Sequence, residues 1–258
     1  MSEKPITVPP SAAEMRRVVV GYSGGVTSAW CLWWALQHYP RDEVVALFHD
    51  TKREDEDTYR YLREMAAKLE MPITERSDGR SVEEVEDDEN ALANNRMAFC
   101  SRILKAEQKD RYFDELRAAG VTEIVLILAF TAKEEARIQR QTMHAQARGY
   151  AIRFPLAEEG VTKQDTAEWS HRFGVRIPAM YEWSDHANCV GCRRGGKAYW
   201  LQVAKHRPQV YLAMAKREQE FGHTFLKDTS LIELHKNGLK RAVRRRESID
   251  IGACECGQ

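Results

Sequence analysis

The stretch Arg17–Ser28, RVVVGYSGGVTS, decides the fold. Three consecutive valines fit a strand buried on both faces. The run breaks after Gly21 into Ser23-Gly24-Gly25, and residues 26–38 then carry apolar side chains on nearly every side, as a buried helix does. A strand that passes through glycines into a helix start turns backbone N–H groups toward an anion. The loop has no Lys after its glycines and lacks G-x-G-x-x-G spacing, so it is neither the Walker nor the dinucleotide arrangement. Gly24 and Gly25 let phosphate oxygens approach the backbone, and Ser23, Thr27 and Ser28 offer hydroxyl donors. The competing reading is a tight turn that merely contains two glycines.

Working outward, EVVALFHD (43–50), PITERSD (72–78), TEIVLILAF (122–130) and AIRFPLA (151–157) read as further strands. Residues 57–70, with Tyr59, Leu62, Met65, Ala66 and Leu69 on one stripe, residues 99–119 and residues 131–148 read as helices. This alternation predicts an α/β fold, a doubly wound, Rossmann-like parallel sheet of about five strands. From residue 158 on the chain reads as a helical C-terminal region, with helices at 162–174, 195–206 and 208–221. The acidic stretch 79–95, GRSVEEVEDDENALANN, reads as a solvated surface excursion. The expected division is a flexible lead (1–15), a nucleotide-binding α/β domain (16–180) and a helical, cysteine-containing region (181–258).

The 258 residues carry 39 basic and 39 acidic side chains, which excludes a uniform polycation built for nucleic acid. No apolar run approaches the ~18 residues of a membrane span, and MSEKPITVPPSAAEMRR has no signal pattern, so a cytoplasmic location is expected. In a reducing compartment the six cysteines are ligands, catalysts or core residues before they are disulfides. Cys31 lies in the apolar helix and reads as core, whereas NCVGC places Cys189 and Cys192 at C-x-x-C spacing, half of a four-ligand site. KNGLKRAVRRR (236–246) is either a nucleic-acid patch or a solvated face.

SGGVTS (23–28) resembles the pyrophosphate loop, S-G-G-x-[DT]-S, of the adenine nucleotide α-hydrolase (PP-loop) superfamily. Four further segments resemble the phosphoadenosine phosphosulfate reductase family within it. Asp50, Thr51, Glu54 and Thr58 keep the spacing of D-T-G-x-E-x-x-x-T, with Lys52 in place of the glycine. Cys100 and Lys105 match Cys-x-x-x-x-K, and Glu135 and Arg137 match E-x-R. Thr162 and Asp165 keep their places in P-L-x-x-W-T-x-x-D-V, although Val161 replaces the aromatic residue. The resemblance spans residues 17–195.

It implies that Ser23, Gly24, Gly25, Thr27 and Ser28 hold the pyrophosphate of ATP or of an adenylyl sulfate nucleotide. Asp50 either binds Mg²⁺ or ribose or caps its own turn, and Arg137 either contacts phosphate or sits with Arg140 on a solvated helix face. The resemblance also joins Cys100 to Cys189 and Cys192. These three would hold a [4Fe–4S] cluster, or bind Zn²⁺ with His186 or a tail cysteine; a redox dithiol and inert thiols are the other readings. The favoured function is ATP pyrophosphatase chemistry that activates a substrate, followed by sulfur transfer that uses the cluster, with a sulfur-donor protein as one candidate partner and a nucleic acid as one candidate acceptor. The tail ECGQ resembles the E-C-G-[IL]-H ending of sulfonucleotide reductases, so the alternative is a reductase with Cys256 as nucleophile, a thioredoxin-like reductant and sulfite as product. Cys254 competes for a ligand place. A non-catalytic nucleotide- and zinc-binding module is the third reading.

Overall fold

The computed structural model describes residues 15–187 and 189–238. Cys254, Cys256 and the basic run from residue 239 onward lie outside the described residues. Five strands, β1 (Arg16–Gly21), β2 (Val44–His49), β3 (Ile73–Arg76), β4 (Glu123–Ile127) and β5 (Ala151–Arg153), form one sheet in the order β3-β2-β1-β4-β5. Every pairing is parallel, with Val18 opposite both Val44 and Val125. The fold is therefore the expected doubly wound α/β arrangement.

The valine run lies at the centre of the sheet because it can be buried on both faces. Val18 and Val20 face α1 (Val26–His38) and α2 (Glu56–Lys68), in a core that also holds Trp30, Tyr61, Met65 and Trp169. Val19 faces the opposite layer, with Phe113, Ile124, Leu126 and Tyr150. The chain leaves β1 toward β2 on one side, and β4 pairs on the other. That reversal opens a crevice at the carboxyl ends of β1 and β4, where a doubly wound sheet takes its ligand.

Two expectations need correction. The last strand stops at Arg153 because Pro155, lacking an N–H, opens a helical turn, α7 (Pro155–Glu158), and the segment is not a strand through residue 157. The acidic stretch 79–95 is not a solvated excursion. It contains α3 (Val82–Asp88), started by a reciprocal Ser81–Glu84 capping box, and Val82 and Val85 pack on Ile103 and Leu104. These last two belong to a helical segment built from α4 (Phe99–Ser101), a π turn (Arg102–Ala106) and α5 (Glu107–Ala118).

α6 (Glu135–Arg148) follows β4, and α8 (Lys163–Arg172) packs on α1. A separate cluster of apolar side chains lies under α9 (Lys197–His206), α10 (Pro208–Phe221) and α11 (Leu231–Gly238). Trp183, Trp200, Met214 and Phe225 form its centre, and Leu92, from the end of the acidic stretch, joins them. Among the described residues no helix is long and apolar enough to cross a membrane.

Candidate functional site

The crevice holds a cavity of about 770 Å³, the size of a nucleotide site. One end is the loop 22–28. Gly24 adopts φ +79°, and a Cβ there would lie 2.8 Å from Thr58 Cγ2, so only glycine fits. Ser28 folds the loop from within: it is buried, accepts the Ser23 N–H at 3.1 Å and donates to Gly25 O at 2.9 Å. α1 begins at Val26 after Gly25, which has no side chain to cap it, and Gly25 and Thr27 bring the positive end of the helix to the cavity lining. Ser23, Gly25 and Thr27 line the cavity, while Gly24 and Ser28 support it from behind.

Asp50 does not line the cavity. Its carboxylate accepts the Lys52 N–H at 2.8 Å and the Tyr59 hydroxyl, the turn-capping alternative of its sequence reading. Lys52 takes φ +56°, the left-handed conformation that a glycine in its place would supply freely, and its ammonium donates to Gly79 O. Arg137 reaches the cavity wall, with its guanidinium 4.1 Å from the Phe130 ring centroid and paired with Glu134. Arg140 is exposed and stands outside it.

Cys100, Cys189 and Cys192 line the same cavity. All three are free thiols, as is Cys31, which is buried in the core as expected. Cys189 Sγ lies 3.1 Å from Thr51 Oγ1 and 3.5 Å from Glu54 Oε1. Burial pushes its pKa up to about 12, although Lys105 pulls the other way. Burial and the neighbouring Cys192 also raise the Cys100 thiol.

Lys105, in the π turn, stands 3.7 Å from Glu54. Burial opposes its charge, yet Cys189, Glu54, Cys192 and Cys100 together hold the ammonium above its ordinary pKa. His186, a candidate zinc ligand, lies instead 2.9 Å from the Lys163 ammonium; burial, then Lys163, lower its pKa. Among the described residues no three His, Cys, Asp or Glu side chains are grouped as a site for one metal ion.

Contacts far away in sequence hold the C-x-x-C turn. Val190 N–H donates to Arg53 O at 2.7 Å, and Arg53 Nη2 donates back to Val190 O at 3.1 Å. The Tyr199 hydroxyl accepts the Gly191 and Cys192 N–H groups at 2.9 and 3.0 Å and donates to Cys189 O at 3.0 Å. Gly195 makes room for that ring, since a Cβ there would lie 2.0 Å from Tyr199 Cδ1.

Arg193 turns inward. It donates to Gly191 O at 2.9 Å, to both Glu86 oxygens at 2.8 and 3.0 Å, and to Glu83 at 2.9 Å. Glu86 is 0% exposed and also pairs with Arg217 of α10 at 3.2 Å. Burial works against the Arg193 charge, but the two carboxylates hold it and raise its pKa. The acidic stretch thus supplies the counter-charge that fixes the cysteine turn. Ser81-x-x-Glu84 with Val82 and Val85 was the signal in the sequence for its helix. For the Tyr199 brace, and for Tyr181 at the loop 22–28, no motif gave a signal.

These elements, from β1 through the cysteine turn, can also be set against known proteins. The crystal structure of phosphoadenylyl-sulfate (PAPS) reductase from Candida auris, in a phosphate complex, is similar at 16% identity and a TM-score of 0.42, over 67% of this chain and 78% of that one. No curated protein matches the chain. The family model for the phosphoadenosine phosphosulfate reductase domain matches residues 17–194, more than half of the chain. The stretch it matches runs from the valine strand to just past Cys192, so the protein belongs to the phosphoadenosine phosphosulfate reductase domain family of the PP-loop superfamily.

Proposed function

We propose that the protein binds ATP through loop 23–28, releases pyrophosphate as it adenylates a substrate oxygen, and transfers sulfide-level sulfur to the activated position as AMP leaves. One observation carries this reading: the phosphate loop and the three thiols of Cys100, Cys189 and Cys192 line one cavity. Ser23, Gly24, Gly25, Thr27 and Ser28 would seat the pyrophosphate at the positive end of α1, with Mg²⁺ on its oxygens and Arg137 as a further cation.

Cys100, Cys189 and Cys192, brought from two separate segments to one cavity, would supply the three thiolates of a [4Fe–4S] cluster, and the same thiolates with a fourth ligand would suit Zn²⁺. When bound by three thiolates, such a cluster supplies sulfur chemistry and an iron free of protein ligand. Lys105 favours the thiolate form of Cys189 and would offset its negative charge. Arg193, Glu86 and Tyr199 would hold the two C-x-x-C thiols in place.

The domain's name supports a second reading, in which an adenylyl sulfate occupies the cavity and a thiol attacks its sulfur. The test is product analysis on full-length protein purified without oxygen. Pyrophosphate released from ATP, iron and labile sulfide in the protein, and loss of that iron in Cys189→Ser support sulfur transfer. Sulfite released from an adenylyl sulfate, with activity lost in Cys256→Ser, replaces it with the reductase. Zinc without iron, together with no product from either nucleotide, leaves a binding module.

A further inference from the structure

Tyr181 stands where the phosphate end and the cysteine end of the cavity meet. It is carried by the 3₁₀ turn Ala179–Glu182, its ring packs against the sheet core, and it lines the cavity. Its hydroxyl oxygen accepts the Val26 N–H at 3.2 Å and would lie 3.0 Å from a Cβ on Gly25. The Ala187 amide, two residues before Cys189, faces the same oxygen. Burial pushes this phenol up to about 12 against the pull of both amides, so it keeps its proton at neutral pH.

A phenol has one O–H to donate and lone pairs to accept with. Both neighbouring amides address the lone pairs. Among the described residues no acceptor takes the proton. An O–H donor therefore remains beside the first residue of α1, at the wall of a cavity whose lining includes Lys105, Arg137 and Lys163. We propose that Tyr181 donates a hydrogen bond to an oxygen of the phosphate chain seated on loop 23–28, and is thus a nucleotide-binding residue contributed from outside the loop. The proposal rests on the phosphate reading of that loop. One consequence is that bound phosphate and the approach to Cys189 share a single hydroxyl.

The test is isothermal titration calorimetry of the full chain with pyrophosphate and with MgATP, comparing wild type, Tyr181→Phe and Thr27→Val, with a melting curve for each. Loss of a hydrogen bond to a charged oxygen should weaken Tyr181→Phe by roughly ten- to a hundredfold, while the melting temperature falls by only about a few degrees for the two amides that lose an acceptor. Equal or tighter binding by Tyr181→Phe, while Thr27→Val binds weakly, overturns the role of Tyr181 and leaves the loop reading standing. If wild type binds neither probe, the loop reading fails and the proposal with it. Hydrogen exchange on wild type needs no variant: added pyrophosphate should protect peptides covering 179–187 as well as 23–28. Protection confined to 23–28 overturns the proposal.

Discussion

The two ends of the cavity are built in opposite ways. The phosphate end is one contiguous loop whose shape comes from Gly24 and from Ser28 bonding inside its own turn. The cysteine end is assembled from Thr51–Glu54, Cys100–Lys105 and Cys189–Arg193, and its turn is held by Glu86 from α3 and Tyr199 from α9. The first end takes its shape locally, with Tyr181 reaching Val26 from outside the loop. The second depends on buried charge and distant hydroxyls, so it should be the easier to break.

The sharpest way to break it is Glu86→Ala. That change removes the buried carboxylate shared by Arg193 and Arg217 and leaves Arg193 with Glu83 alone, so the cost should fall at the lower end of the about 3–5 kcal/mol typical of a broken buried pair. Urea unfolding of the full chain should show a loss of that size. A loss under about 1 kcal/mol would mean that the pair does not hold the turn.

Acid tests the cavity wall at the end of β2. His49 closes β2 against the cavity, and its Nε2 is buried with no partner among the described residues. Burial, helped by Lys105, Lys109 and Arg76, lowers its pKa to about 4. An unfolded histidine titrates near ~6.5. Below that pH the unfolded chain binds a proton that the folded chain refuses until about pH 4, so the contribution is complete above 6.5 and is lost as pH falls toward 4. The slope reaches at most about 1.4 kcal/mol per pH unit, roughly 3 kcal/mol in all. His49→Gln should flatten the wild-type fall in urea midpoint between pH 6.5 and 4.5; an unchanged slope would assign the acid sensitivity elsewhere.

The same contrast governs what could be read in the sequence. The valine run, the glycine loop and α1 are signalled by neighbouring residues, and Val26–His38 is helical over the expected bounds. The sheet follows from alternation, since parallel strands need intervening helices. Residues 79–95 misled because composition reports charge and not its partner: Glu86 sits in an acidic run, and the arginine that buries it is 107 positions away. Asp50 and Lys52 stood at family positions, but only the turn showed a carboxylate spent on capping and a lysine in a glycine's conformation. The spacing of Cys189 and Cys192 was plain, whereas Tyr199 bonds backbone groups and leaves no motif.

Tyr199 gives the smallest and most selective test. Tyr199→Phe keeps the ring and removes the one oxygen that joins Gly191 N, Cys192 N and Cys189 O. Two amides and a carbonyl lose their partner, for about 1–2 kcal/mol of stability if water replaces it in part. The larger consequence should fall on the thiols: with the turn loosened, Cys189 and Cys192 should be alkylated several-fold faster than in wild type, and Cys100, carried on a different segment, should not. Gly195→Ala checks the cause, because its Cβ must displace the same ring without touching the hydroxyl chemistry. Matching alkylation patterns in the two variants would fix the brace as the determinant of thiol exposure. An unchanged pattern in Tyr199→Phe would place that control in the Arg53 and Arg193 contacts, and the cysteine end would then rest on its two arginines.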